Sequence, residues 1–342
     1  MGNLSIRKLK ISLIVCIILL VSWLIYIVYL LQKEPIETTV KQVINRTTDE
    51  KDSHSSKPFG YDKTSQKIDK STQENIRIDN VAQGNISREI VPESSALQKD
   101  ASLNQTKIAT FDENKIKVPN INRENFHSTF GRKVVLIYFS HNRESFLPYF
   151  KERTPPESAY HSKLNVSLIG QRLGKTLKQN GIWNKVSNMD IIKILNERNL
   201  NFDSSYQMSR EIVINEMRMN RDLKMAFDIH RDALPRNLST TNINGQSFAK
   251  ISFVIGKEHE HYKENLEFVN DINGLVEKEY PGLSRGIIVK DKKQGNGVYN
   301  QDLLPNSVII EVGGVENNLE ELYRTADVLG NVISQYYWEN IH

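Results

Sequence analysis

The chain has one cysteine, Cys16, in 342 residues, so no internal disulfide framework can hold it together. That cysteine ends residues 13–16, LIVC, which superficially resemble a lipoprotein cleavage site. Val15 is bulky where a small residue is needed, and the apolar run continues past it, so no lipid anchor is expected there. The chain also lacks a strong charge imbalance, with a formal net charge of +4. Electrostatic binding of nucleic acid needs a concentrated basic patch, and the sequence has none. There is no internal repeat, which excludes a repeat array.

One long apolar run is present. Residues 11–31 carry no charge over about 21 positions, enough at 1.5 Å per residue to cross a hydrocarbon core of about 30 Å. Trp23, Tyr26 and Tyr29 lie toward its far end, as in an interfacial aromatic belt. Arg7, Lys8 and Lys10 precede it, so residues 1–10 are expected to be a cytoplasmic tail and the rest to lie outside. The run is longer than a signal-peptide core and has no small-residue cleavage site, so an uncleaved anchor is expected.

Residues 32–124 are polar, with scattered apolar positions and no persistent period. Such a segment cannot bury enough apolar surface to offset its ordering entropy, and it reads as an extracytoplasmic stalk of low order. Short ordered pieces are expected near residues 76–81 and 108–118.

From residue 125 to 342 the pattern is that of a single α/β catalytic domain, with a mostly parallel sheet and helices on both faces. Residues 133–139 read as a buried strand. Residues 167–180 read as a helix stopped by Gly181, and 209–219 as a second helix. Strands are expected at 225–229, at 248–255 by alternation, at 287–289 and at 308–312. A helix is expected at 261–280, and a last one from Asn318 with Glu321 at the capping-box position.

Three of these strands end in polar groups with no packing role: His141 with Glu144, His230, and Glu311. Open α/β sheets place their sites at the carboxyl ends of strands, so the three ends can converge. Catalytic zinc takes about three His, Asp or Glu ligands and leaves a position to water. His141, Glu144 and His230 suit the ligands. Glu311, between Ile310 and Val312, suits a general acid/base, because an unpaired carboxylate inside a buried strand is costly. An H-x-x-E pair, a distant His and a later Glu also resemble a zinc metallocarboxypeptidase. That activity requires an Arg and Asn clamp, and Asn142 and Arg143 lie awkwardly within the ligand pair. A wall-binding scaffold of the same fold without chemistry is the other alternative.

The segments IYFSHNRESFLP, FDIHRDALPR, FVIG and GVYNQDLLPNSVIIEVGGVEN, with Tyr206, Ser209 and Arg210 between the first two, resemble the stage II sporulation protein P family of spore-engulfment peptidoglycan hydrolases. The resemblance covers residues 133–335, and the anchor and stalk fit that family's layout. It implies a fold similar to the zinc-dependent N-acetylmuramoyl-L-alanine amidases, cleavage of the amide between muramic acid and the stem peptide, and cutting of peptide cross-links. It implies a lytic transglycosylase and a multi-spanning membrane protein of the engulfment machinery as partners. The family's metal ligands fall on His141, Glu144 and His230, and its catalytic glutamate on Glu311. Phe139 stands where the family pattern has a further histidine, and His161 is an alternative to Glu144. Arg210, Arg231, Asn300 and Gln301 are candidates for binding substrate. Asp232 is a candidate to orient a ligand imidazole, or else to pair with Arg231 or Arg236.

Overall fold

The computed structural model describes residues 99–113, 116 and 127–341. The expected tail at 1–10, the anchor at 11–31 and most of the stalk lie outside the described residues. Among the described residues no helix is long and apolar enough to cross a membrane.

A six-stranded sheet organises the domain, in the order β2-β1-β3-β8-β6-β7. The strands are β1 Val135–Tyr138, β2 Asn184–Val186, β3 Met225–Asp232, β6 Ile251–Gly256, β7 Ser284–Lys290 and β8 Ser307–Gly314. All neighbouring pairs are parallel except β6 with β8, so the sheet is mixed but mostly parallel. A separate hairpin joins β4 Thr240–Ile243 to β5 Gln246–Ala249. The helices are α1 Gln105–Ala109, α2 Ser167–Gln179, α3 Ile191–Glu197, α4 Ser205–Met219, α5 Arg236–Ser239, α6 Tyr262–Glu279 and α7 Leu319–Asn340.

Side chains alternate along each strand, so the sheet has two distinct faces. On one, Ile137 lies against Gly170 of α2, and the Phe227 ring is 6.1 Å from Phe268 of α6. On the other, Leu136, Tyr138 and Ala226 cluster with Val213 of α4. Helices therefore flank both faces. The central strands β1, β3 and β8 are buried along their whole length, as a parallel sheet covered on both sides requires. Phe139 belongs to this core: a Cβ on Gly170 would stand 2.4 Å from its Cζ.

Helices α2 and α7 are locked by a buried ion pair. Arg172 donates Nε and Nη2 to the two oxygens of Asp327, each at 2.7 Å, and Thr176 Oγ1 adds a third donor at 2.8 Å. Helix α7 begins as its sequence directs. Asn318 Oδ1 accepts from Glu321 N–H at 3.0 Å and Glu321 Oε2 accepts from Asn318 N–H at 3.2 Å, closing the capping box.

Several boundaries differ from the sequence expectation, three of them in ways that shape the domain. Residues 99–113, expected within the stalk, are built onto the domain: Ala101 N–H donates to Tyr160 O and Asn104 N–H to Tyr149 O, while Ile108 and Phe111 are buried. Strand β3 runs on through His230 to Asp232 rather than ending at 229. The single strand expected over 248–255 is two, β5 and β6, broken at Lys250. There Lys250 N–H turns to Ser239 O at 2.8 Å and Lys250 O receives Gly313 N–H at 2.8 Å.

Candidate metal centre

Because β1, β3 and β8 are parallel neighbours, their carboxyl ends lie on one edge. Tyr138 is in register with Asp228, and Asp228 with Ile309. His230 therefore stands opposite Glu311, on the sheet face that also carries Asp228. His141 and Glu144 follow β1 on a tight turn closed by Glu144 N–H to His141 O at 3.1 Å. Asn142 and Arg143, between them, are held away by Asp190, which caps α3. Asn142 Oδ1 accepts Ile191 N–H at 2.9 Å, and Arg143 Nη2 reaches Asp190 Oδ2 at 2.7 Å. Spent in this way, Asn142 and Arg143 do not form the clamp of a carboxypeptidase.

The turn brings the Glu144 carboxylate between two imidazoles. Its Oε1 is 3.4 Å from His141 Nδ1 and its Oε2 is 3.6 Å from His230 Nδ1. The same Oε2 accepts Arg231 N–H at 3.0 Å. The three residues are buried, and their donor atoms all lie within 4.8 Å of one another. Ligands about 2.0–2.1 Å from one tetrahedral zinc stand roughly 3.3–3.4 Å apart. The separations of 3.4 and 3.6 Å involve the two different oxygens of Glu144, and two imidazoles with one carboxylate suit a divalent metal. The cluster could chelate a metal ion.

The electrostatics fit the same reading. Burial alone would raise the Glu144 carboxyl, but the His230 charge and hydrogen bonds from both imidazoles hold it well below the usual carboxylate range. Burial alone would lower His230, but Asp228 and Glu144 raise it well above its ordinary value. Two anions thus converge on one imidazole, a surplus of negative charge that a cation would balance. Glu311 differs. Burial pushes its carboxyl up to about 8, with Asp232 and Glu144 adding to the rise and His230 and Lys290 opposing it. Its Oε2 is buried without a hydrogen-bond partner.

Asp228 is the residue that sequence reasoning missed. It is 1% exposed. It accepts Ser140 N–H at 2.8 Å and Ser140 Oγ–H at 2.6 Å, and its Oδ1 lies 3.1 Å from His230 Nε2. Asp228 thus faces Nε2 and leaves Nδ1 toward Glu144, so a metal bound at Nδ1 would leave the ring proton on Nε2, the arrangement that orients a ligand histidine. The signal was available: Asp228 precedes His230 by two residues on one strand, so both face the same way. Aromatic rings back the other histidine, with Phe202 and Tyr206 centred 4.7 and 5.2 Å from His141.

Other candidates lie elsewhere. His161 is outside the cluster. Its Nδ1 accepts the N–H groups of Lys163 and Leu164 at 3.1 and 3.0 Å, and its Nε2 lies 3.8 Å from Asp100. Asp232 pairs with Arg285 at 2.7 Å, not with Arg231 or Arg236, and does not reach a ligand imidazole. The four residues expected to bind substrate are all engaged inside the protein. Arg210 makes a bidentate pair with Asp302, both bonds 2.6 Å. Arg231 donates to Ser145 O and Ala159 O at 3.1 and 3.4 Å. Asn300 donates to Tyr206 O and Ser209 Oγ at 3.2 and 2.9 Å. Gln301 accepts Gly256 N–H and donates to Val254 O, both at 2.9 Å. For Arg231, Asn300 and Gln301 these contacts satisfy buried main-chain and side-chain groups, whereas the Arg210–Asp302 pair is partly exposed.

Comparison with known proteins adds the following. The family model described as Stage II sporulation protein P matches residues 32–334. Stage II sporulation protein P of Bacillus subtilis (strain 168) is 39% identical over 256 residues, covering 75% of this chain. The chain spans 63% of the length of that curated relative. Among solved structures, an N-acetylmuramoyl-L-alanine amidase from Clostridium difficile 630 aligns with a TM-score of 0.37 at 14% identity, over 62% of this chain and 100% of that one. A metallo-carboxypeptidase from Burkholderia cenocepacia aligns with a TM-score of 0.31 at 10% identity, over 64% of this chain and 60% of that one.

Proposed function

Because the chain belongs to the stage II sporulation protein P family, we propose that it is a zinc-dependent peptidoglycan hydrolase that cleaves the amide between muramic acid and L-alanine. The observation that carries this reading is the pairing of two features on one sheet edge. A His141, Glu144 and His230 cluster stands next to Glu311, whose buried Oε2 has no hydrogen-bond partner.

Zinc held by those three residues would supply a bound water whose pKa falls toward about 7. The protein's own groups do the rest. His230 is kept in the metal-facing tautomer by Asp228 and Ser140. Glu311 accepts a proton on its carboxylate and returns it to the nitrogen of the leaving amine. Burial raises its carboxyl to about 8, which makes it a stronger base than a free carboxylate, and the charge of a bound zinc would favour its ionised form. The aromatic wall of Phe202 and Tyr206 beside His141 limits water on that side.

The same reading extends to the whole chain. Residues 11–31 anchor it in the cell membrane with residues 1–10 in the cytoplasm, and 32–98 tether an extracytoplasmic domain. Peptide cross-links between stems are a second substrate. A lytic transglycosylase and a multi-spanning membrane protein are its partners in spore engulfment.

Digestion of purified peptidoglycan by the zinc-loaded protein tests the reading. The expected products are stem peptides with a free L-alanine amino group, at a rate that Glu311→Gln lowers by about 100-fold or more. Release of C-terminal residues from stems that stay attached to glycan would instead establish a carboxypeptidase. Wall binding with no product from either form would establish a scaffold.

A further inference from the structure

One polar group next to this site has no part in the chemistry so far. Arg285 lies on β7, where two residues, Arg285 and Gly286, oppose the single Ser252 of β6: Ile251 pairs with Ser284 and Phe253 with Ile287. Gly286 has φ +92, which a residue without a Cβ adopts freely. Bulges of this kind re-aim a side chain and recur beside active sites. Here the Arg285 side chain, only 4% exposed, reaches back over the sheet. Its Nη2 donates to Asp232 Oδ2 at 2.7 Å and to Ser252 Oγ at 3.0 Å. Ser252 stands directly opposite Glu311 across the β6–β8 pair, and Asp232 follows His230 by two residues. The guanidinium is therefore bonded to the residue that faces the proposed acid/base across the sheet.

Most of its hydrogen-bonding capacity is unused. A guanidinium carries five N–H groups, and Nη2 accounts for two of them. Nε and Nη1 are buried with no hydrogen-bond partner, and so is Glu311 Oε2 in the same region. Buried polar atoms are seldom left unpaired. A purely structural ion pair explains the Nη2–Oδ2 bond. It does not explain the unused donors on Nε and Nη1.

Resting on the amidase reading above, we propose that Arg285 binds substrate. Its Nε and Nη1 donate to acyl oxygens of the stem peptide, either a free carboxylate or an amide carbonyl, while Asp232 holds the guanidinium in place.

The test uses the full-length, zinc-loaded protein carrying Glu311→Gln, so that bound ligand is not hydrolysed. Its affinity for a soluble muramoyl tripeptide is measured by calorimetry beside the same fragment with its carboxylates amidated. Arg285→Lys keeps a charge against Asp232 but loses the delocalised donor array. The paired exchange Arg285→Gln with Asp232→Asn removes both charges together and guards against a folding failure of the single variant. Each is expected to weaken binding by about 10- to 100-fold with zinc content and thermal midpoint retained. Without Glu311→Gln, the same changes raise KM more than they lower kcat. Equal losses for both fragments assign an amide carbonyl, and a loss confined to the natural fragment assigns a carboxylate. Unchanged affinity in the folded, zinc-bound variants overturns the role of Arg285 alone. If the parent binds neither fragment, the amidase reading falls and Arg285 with it.

Discussion

Replacing Asp228 with asparagine probes the support beneath the metal centre. Three groups face Asp228 in a site that is 1% exposed: Ser140 N–H at 2.8 Å, Ser140 Oγ–H at 2.6 Å and His230 Nε2 at 3.1 Å. Asparagine has nearly the same shape but one acceptor oxygen in place of two. Its amide nitrogen must then point at a donor. His230 loses the anion that keeps its proton on Nε2 and strengthens Nδ1 as a ligand. Removing such an outer partner typically costs about 10- to 100-fold in metal affinity, or about 1.4–2.7 kcal/mol. An independent route gives a similar size, since a hydrogen bond to a charged group contributes about 1.5–3 kcal/mol. The assay is zinc affinity by competition with a chelator at fixed pH, with the melting curve of the metal-free protein as a check on folding. Ser140→Ala, which removes one of the three groups, should cost less than Asp228→Asn. Zinc binding by a folded Asp228→Asn protein as tight as wild type would refute the role of Asp228.

Two further outcomes concern stability. Asp327→Ala leaves the Arg172 guanidinium, 7% exposed, without its bidentate partner. The expected loss is about 3–5 kcal/mol, seen by calorimetry as a fall in Tm of roughly 6–20 °C; a shift of a degree or two would contradict the packing described. Two half-buried carboxylates outside the metal cluster contribute to acid stability. Burial raises Asp190 and Asp302, but Arg143 with Asn142, and Arg210, outweigh it and hold both below the usual range. A depressed pKa in the folded state means stability that is fully present above the unfolded value of about 3.9 and is lost as pH falls through the folded value. The urea midpoint should therefore drop on going below about pH 4, and Asp190→Asn should flatten that slope. A slope unchanged by Asp190→Asn would count against its pairing.

The part of the fold legible in the sequence is the part governed by long apolar runs. The strands that became β1, β3 and β8 stand out because burial on both faces demands unbroken apolar stretches, and each run ends in a polar residue that packing does not explain. Helix α7 was legible from its capping box. Strand β2 was not: Asn184, Lys185 and Val186 form a half-buried edge with no alternation to detect. The hairpin β4–β5 turns on Asn244 and Gly245, both at positive φ, a recognisable turn signal, yet only the end of β5 falls within the strand expected at 248–255. Residues 99–113 show no period because Leu103, Ile108 and Phe111 dock one at a time on surfaces made by distant parts of the chain. The metal cluster was legible because the strand ends converge by topology. Internal bonding is harder to read, as Arg231, Asn300 and Gln301 show. Polar side chains near a site are also needed to satisfy buried main-chain groups, and sequence alone does not separate that duty from substrate binding. Asp228 and Arg285 went unnoticed for a related reason. Each is defined by cross-strand register and, for Arg285, by a bulge that no local pattern announces.

Metal stoichiometry in the purified protein tests the central claim most directly. Elemental analysis after dialysis is compared for wild type, His230→Ala and His161→Ala. A site built from His141, Glu144 and His230 predicts one zinc per chain in wild type, the same in His161→Ala, and none in His230→Ala. Zinc retained by folded His230→Ala, or lost from folded His161→Ala, would contradict it.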